Sequence, residues 1–211
     1  MKQNTTEIIR SLEEFDFFDT VDLHIHSTCS DGKMSPEEIL KQAETKGLKY
    51  ISICDHNTLD AYSKSEILNN KMIISGIEFD CWYKGILIHI LGYGFDVNNE
   101  ELLSLCAKNK SGTESDLVRF FSYRHPKKVI NAIKNAGGIA ILAHPACYWA
   151  ISLDDFISKL INMGLDGIEV YYPYKRHRGI IKFHLASAVK RIAQKYGIIQ
   201  TGGSDSHGTI L

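Results

Sequence analysis

The sequence has almost no net charge: 24 lysines and arginines stand against 25 aspartates and glutamates over 211 residues. With an isoelectric point near 6.7, no global field draws in nucleic acid or an anionic membrane. Any nucleotide must therefore be held by a local site. Long apolar runs are also missing, which excludes a helical membrane span. The stretch Met1 to Phe18 is polar and mixed in charge, without the apolar segment and cleavage site of a secretory leader, and this favours the cytoplasm. Five cysteines (Cys29, Cys54, Cys81, Cys106, Cys147) stand without a C-x-x-C pair, an odd set that fits reduced thiols better than a disulfide framework. Internal repeats and low-complexity linkers are absent too. One domain over 1–211 is expected, long enough to bury a substantial core.

What the chain does have is nine histidines, and their placement is informative. Val21 to Gly32 reads as a short strand running into a polar turn. Side chains alternate along a strand, so His24 and His26 share one face while Leu23 and Ile25 turn into packing. Two imidazoles on one face can close on one ion. Asp31, on the turn that follows, can bring a carboxylate back to the same place.

The arrangement recurs down the chain. An amphipathic helix with Ile8, Ile9, Leu12 and Phe15 on one side is expected over residues 1–18, followed by a strand over 20–26. Ser35-Pro36-Glu37-Glu38 opens a helix with a cap, a proline at the first position and a capping glutamate, and Gly47 closes it. Residues 48–54 form a second strand, ending at Asp55-His56. Further strands over 71–77, 85–88, 138–143 and 197–201 lead to Glu78, His89, His144 and Asp205-Ser206-His207, and residues 165–171 form a sixth strand between the last two. Helical patterns over 59–69, 127–136, 152–163 and 180–196 separate most of them. Alternating strands and helices imply a mainly parallel α/β sheet, with chemistry at the carboxyl ends of strands. Residues 97–126 break this rhythm, with a helix around 99–108 and a basic-aromatic patch from Arg119 to His125, and are expected to form a small cap.

The candidate ligands are His24, His26, Asp31, His56, Glu78, His89, His144, Asp205 and His207. Nine such donors exceed the usual four to six around one ion, so two or three divalent metals are implied. Imidazole mixed with carboxylate suits Mn, Fe or Zn. Asp22 and Asp55 lie beside ligand histidines, where they either orient the rings or hold the strand-end turns.

Taken together, His24-x-His26 with Asp31-Gly32, Asp55-His56, Gly76-Ile77-Glu78, His89-x-Leu91-Gly92, Ala143-His144-Pro145 and Ser204-Asp205-x-His207 resemble the PHP (polymerase and histidinol phosphatase) family. Within it, the likeness is to small stand-alone phosphoesterases that include nucleoside 3′,5′-bisphosphate phosphatases. The resemblance covers residues 20–208 and implies a distorted (βα)7 TIM-like barrel with a trinuclear site. By the family pattern, His24, His26, Glu78 and Asp205 hold one metal, and Glu78 bridges to a second held by His89 and His144. Asp31, His56 and His207 hold the third. It implies hydrolysis of a phosphate monoester by a metal-bridging hydroxide, with His24, His26, Glu78, Asp205 and His207 as the catalytic set.

The expected substrate is a small phosphorylated metabolite, such as a nucleotide or nucleoside bisphosphate. Arg119, Arg124, Lys127, Arg176, His177 and Arg178 are cations suited to a second phosphate, and Tyr171, Tyr172 and Tyr174 to a base. A nucleic-acid strand is not expected, because the near-neutral charge builds no groove for one. Two rivals remain: a catalytically silent metal- or nucleotide-binding module, and an amidohydrolase, which also uses a His-x-His strand.

Overall fold

The computed structural model describes residues 5–174 and 183–208, apart from the side chains of Phe18 and Ser65. Its strands form two ladders. β1 (Val21–Ile25) and β2 (Tyr50–Ile53) pair in parallel, while β3 (Gly76–Tyr83), β4 (Ile86–Tyr93), β5 (Ile139–Leu142), β6 (Gly167–Tyr171) and β7 (Ile199–Gly202) lie side by side in chain order. Single parallel bridges tie the small ladder to both edges of the large one, Ile25 to Ser206 just after β7 and His56 to Glu78 in β3.

The strict alternation expected of a (βα)7 repeat is not what the ladders display. β3 and β4 form an antiparallel hairpin, β4 also runs antiparallel to β5, and only β5–β6 and β6–β7 are parallel in the larger sheet. The cause is local. Lys84 and Gly85 take φ of 51° and 74°, the left-handed pair that a tight two-residue hairpin turn demands. The stretch 71–77 contributes only Gly76 and Ile77 to a strand, which then continues through Glu78 to Tyr83.

The remaining elements follow their sequence signals. α1 (Thr5–Ser11) and α2 (Asp16–Asp19) replace the single helix expected over 1–18, and Phe15 is exposed while Ile9 and Phe17 are buried. α3 (Pro36–Lys46) has the full capping box, Ser35 Oγ accepting from Glu38 N and the Glu38 carboxylate from Ser35 N, and ends at Gly47 with φ 70°. α4 (Ser65–Leu68) is short. α5 (Glu100–Leu105), α6 (Ser111–Glu114) and α7 (Asp116–Phe121) make up most of the 97–126 segment. α8 (Pro126–Asn135), α9 (Leu153–Asn162) and α10 (Ala186–Tyr196) bury one stripe each, among them Val129 and Ile133, Phe156 and Leu160, Val189 and Ala193. None of the described helices is long and apolar enough to cross a membrane.

Two apolar clusters hold these layers together. The larger lies among the helices and strands and includes Ile39, Ile53, Phe79, Ile90, Ile133 and Ile168. The smaller gathers Ile9, Phe17, Leu23, Leu91, Tyr93 and Ile141. On the hairpin, Glu78 stands opposite Leu91 and Asp80 opposite His89, so one face passes from charged to apolar within two residue pairs. That face is the floor of the candidate site.

Candidate metal centre

β1 delivers its two histidines as the alternation requires: His24 Nε2 and His26 Nε2 lie 3.2 Å apart. Glu78 Oε2 is 3.4 Å from the first and 3.3 Å from the second, and Asp205 Oδ1 is 3.5 and 3.1 Å away. Donors placed tetrahedrally about 2.1 Å from one ion lie about 3.4 Å from each other. Four buried or nearly buried donors at that spacing fit a divalent cation. A proton serves them poorly, because only one can lie between two imidazole nitrogens 3.2 Å apart.

The other oxygen of Glu78 gathers a second group. Oε1 is 3.0 Å from His89 Nδ1 and 3.3 Å from His144 Nε2, and those nitrogens are 3.3 Å apart. A third group surrounds Asp31, with His207 Nε2 at 3.3 Å, His26 Nδ1 at 3.6 Å and His56 Nε2 at 3.7 Å. All nine expected donors are thus drawn together. The rings of His26 and His56 each stand between groups, since His56 Nδ1 also lies 3.4 Å from Glu78 Oε2. The exposed side is that of His207, whose side chain is 38% accessible against 0% for His24 and His26.

Glu78 and His89 sit in the middle of strands rather than at carboxyl ends as expected. An antiparallel hairpin presents inward side chains along its length, so strand ends lose their privilege there. Elsewhere the strand-end positions carry strain: Asn57, His144 and Asp205 have φ of 54°, 27° and 50°. Backbone bonds brace two of them, Asn57 N donating to the Glu78 carbonyl and His144 N to Glu169 Oε2.

Burial and charge oppose each other throughout the centre. Burial disfavours charge on His24 and His26, yet Glu169 and Glu78 raise His24 well above the usual imidazole range, and Asp205 with Glu78 holds His26 at about 9. His144 reaches about 10 against its burial, through Cys147 and Glu78. For Glu78 and Asp205 burial pushes upward, but the surrounding histidines hold both carboxyls well below their ordinary values. Burial likewise opposes ionisation of Asp31, and His207 and His56 overcome it. His56 is the exception, driven down by its burial.

The other expected residues divide. Arg119 is buried at the centre, donating to Asp31 Oδ2 and Asp116 Oδ1, each at 2.7 Å. Arg124 instead donates to the Leu105 carbonyl and Ser122 Oγ, and Lys127 to the Met163 carbonyl, so these two brace loops. Arg176, His177 and Arg178 lie outside the described residues. Tyr171 stacks on Phe17, Tyr174 donates to the Glu169 carbonyl, and Tyr172 donates to Asp205 Oδ2 at 2.7 Å. Asp22 and Asp55 hold turns rather than rings: Asp22 accepts from Ser204 N and Oγ, Asp55 from Ser27 N, Ser27 Oγ and Ser30 Oγ. Two carboxylates were not anticipated as part of the centre. Glu169, fully buried, accepts from His24 Nδ1 at 3.0 Å, and Asp80 lies beside His56 and His89. Their signal was available, since each is a lone charge inside an apolar strand (Ile168-Glu169-Val170 and Phe79-Asp80-Cys81) and so needs buried partners.

Comparison with known families places the chain in a class. The family model of the PHP domain matches residues 22–135, more than half of the chain, and the chain belongs to that family. Among its relatives is a 5′-3′ exoribonuclease of Haemophilus influenzae, 31% identical over 56% of this chain and 44% of that protein, so the chain spans less than half of that relative. A phosphoribosyl 1,2-cyclic phosphate 1,2-diphosphodiesterase of Eggerthella lenta is 24% identical over 89% of this chain and 94% of its own length. A 3′,5′-nucleoside bisphosphate phosphatase of Chromobacterium violaceum is 26% identical over 68% and 50%. Among solved structures, a protein of Bifidobacterium adolescentis assigned to the metal-dependent phosphoesterases superposes with TM-score 0.71 at 22% identity, covering 90% of this chain and 88% of that one. An amidohydrolase of Chromobacterium violaceum superposes with TM-score 0.72 at 18% identity, covering 90% and 89%. At these identities the superpositions establish a shared mixed α/β fold.

Proposed function

We propose that this chain is a metal-dependent phosphoesterase that hydrolyses a phosphate ester of a small metabolite, a nucleotide or nucleoside bisphosphate being the leading class. The observation that carries this reading is Glu78, whose two oxygens face two separate histidine groups, the arrangement of a carboxylate shared between ions. Two to three divalent ions, Mn²⁺, Fe²⁺ or Zn²⁺, would be held among His24, His26, Asp31, His56, Glu78, His89, His144, Asp205 and His207. Bound there, they would polarise a phosphoryl oxygen and lower the pKa of a coordinated water. The two ladders and their linking bridges are read as one distorted seven-stranded barrel, and 1–211 as one domain with 97–126 as its cap.

The chain's own side chains supply the rest. Glu169 holds His24 with Nε2 free toward the donor group, and Tyr172 fixes Asp205 through its second oxygen. Arg119 orients Asp31 from the cap. A cleft of 720 Å³ runs between the cap and the loops after His26 and His56, lined by Thr28, Cys29, Thr58, Lys108 and Lys110 among others, a size suited to the body of a nucleotide. Among the relatives, the bisphosphate phosphatase and the cyclic phosphate diphosphodiesterase act on small phosphate esters by name, while the exoribonuclease keeps a nucleic-acid end among the substrates to try.

The test combines metal content with turnover. Purified protein is analysed for bound metal, then assayed with Mn²⁺ on phosphomonoesters, 3′,5′-bisphosphates, cyclic phosphates, short 5′-phosphorylated RNA and an amide panel. Two to three metals per chain, with phosphate release abolished in His26→Ala and Asp205→Ala, is the expected result. Metal uptake without turnover of any ester would favour a binding module, and turnover of amides alone would favour the amidohydrolase reading.

A further inference from the structure

Asp80 has no place among the nine donors, yet it is buried in their midst, its side chain 1% accessible. Its two oxygens are treated differently. Oδ2 is anchored, accepting from the Asn57 amide with Arg119 Nε at 3.8 Å, and Asp80 N donates to Asn57 Oδ1. Oδ1 is buried without a hydrogen-bond partner, 3.2 Å from His89 Nε2 and 3.4 Å from His56 Nδ1. A buried carboxylate oxygen flanked by two imidazole nitrogens at ion-pair distance, with a directed hydrogen bond to neither, is costly, and a native fold rarely keeps one without a use.

We propose that Asp80 Oδ1 is a tenth donor, completing a divalent-cation site with His56, Glu78 and His89. The assignment rests on the metal-dependent reading above and adds a ligand to it. His56, Glu78 and His89 already offer atoms within 4.8 Å of one another, and three protein donors leave one tetrahedral position to fill. Separations of 3.2–3.4 Å without directed hydrogen bonds are those of ligands sharing an ion. Cross-strand pairing gives the placement rigidity: Asp80 stands directly opposite His89, and Glu78 lies two residues away on the same face. The anchored Oδ2 matches the rule that ligating carboxylates are themselves hydrogen-bonded. His89 then faces this ion through Nε2, while its Nδ1 keeps its place 3.0 Å from Glu78 Oε1 and 3.3 Å from His144 Nε2. A second carboxylate also makes the site harder, favouring Mn²⁺ over Zn²⁺.

Cobalt is the probe. Metal-stripped wild type, Asp80→Asn, Asp80→Cys and the surface control Asp155→Asn are titrated with Co²⁺ by calorimetry and visible absorption. Asp80→Asn should lose one equivalent or bind it at least about 100-fold more weakly, with the control unchanged. Asp80→Cys should show a thiolate-to-cobalt charge-transfer band that wild type, with its own five cysteines, lacks. Asp80→Asn taking up the same equivalents at wild-type affinity, or Asp80→Cys saturating with Co²⁺ without the band, would overturn the assignment. Should Asp80→Asn not fold when stripped, the cysteine variant decides alone. Wild type binding no Co²⁺ would instead remove the phosphoesterase reading itself.

Discussion

Glu169→Gln tests how the centre is built, because it keeps shape and changes only what the head group can accept. The carboxylate spans two donors, His24 Nδ1 at 3.0 Å and the His144 backbone N–H at 2.8 Å. Glutamine has one acceptor oxygen. If that oxygen stays on His144, the amide NH₂ meets His24 Nδ1, and the ring must accept there and carry its proton on Nε2. That proton then occupies the space between His24, His26, Glu78 and Asp205. If the amide turns over, the His144 N–H loses its partner at a residue held at φ 27°. Either route forfeits a buried hydrogen bond to a charged group, about 1.5–3 kcal/mol. In binding terms this is a roughly 10- to 150-fold loss of affinity for the first ion. Calorimetric titration of the stripped protein with Mn²⁺ and Zn²⁺ measures it, and a melting curve verifies that the variant is folded. A folded Glu169→Gln protein with wild-type metal affinity would refute the claim that Glu169 sets the His24 tautomer.

Two further predictions concern the metal-free protein. Arg119→Leu leaves Asp31 and the exposed Asp116 without their cation; discounted for partial exposure, the cost is about 1–2 kcal/mol, or roughly 2–8 °C in Tm. Saturating Mn²⁺ should recover part of the loss by neutralising Asp31, and equal melting of variant and wild type in both states would contradict this. For pH, His26 at about 9 and His144 at about 10 are raised above the unfolded value near 6.5, so their stabilisation is complete below about pH 6.5 and lost as pH climbs through 9 to 10. The stripped protein should melt at falling temperature from pH 7 to 10, while the gain from added metal grows because binding requires neutral imidazole. A flat profile in scanning fluorimetry would count against the carboxylate–histidine pairing.

The convergence of the nine candidate donors was legible because each stands in a local phrase with its own physics: a period-two pair in β1, and polar breaks after β2 and β5. α3 was legible down to its caps, because Ser35, Pro36, Glu38 and Gly47 each answer to a short-range rule. What escaped was non-local. The hairpin of β3 and β4 was masked by the apolar run 71–77, of which only two residues enter the strand, and by a Lys-Gly turn weaker as a signal than Asn-Gly. Glu169 escaped because its partner His24 comes from a strand far off in sequence, and Asp80 because its partners appear only once the hairpin and the loop after β2 are in place. Arg124 and Lys127 were offered to a substrate on charge alone, and the structure gives them carbonyls to hold.

The hairpin also makes the centre a check on its own folding. Its two faces have opposite chemistry, Phe79, Cys81, Ile88 and Ile90 lying in the apolar layer while Glu78, Asp80 and His89 point the other way. Side chains repeat every two residues, so a slip of one would drive carboxylates into hydrocarbon and phenylalanine among the histidines. A one-residue insertion in either arm is therefore a lesion to chemistry and core together. The turn at Lys84 and Gly85, exposed at the tip, is free to lengthen. Tolerance to length change along these eighteen residues should fall from the tip inward, and the ion would be captured only by chains that paired in the right register.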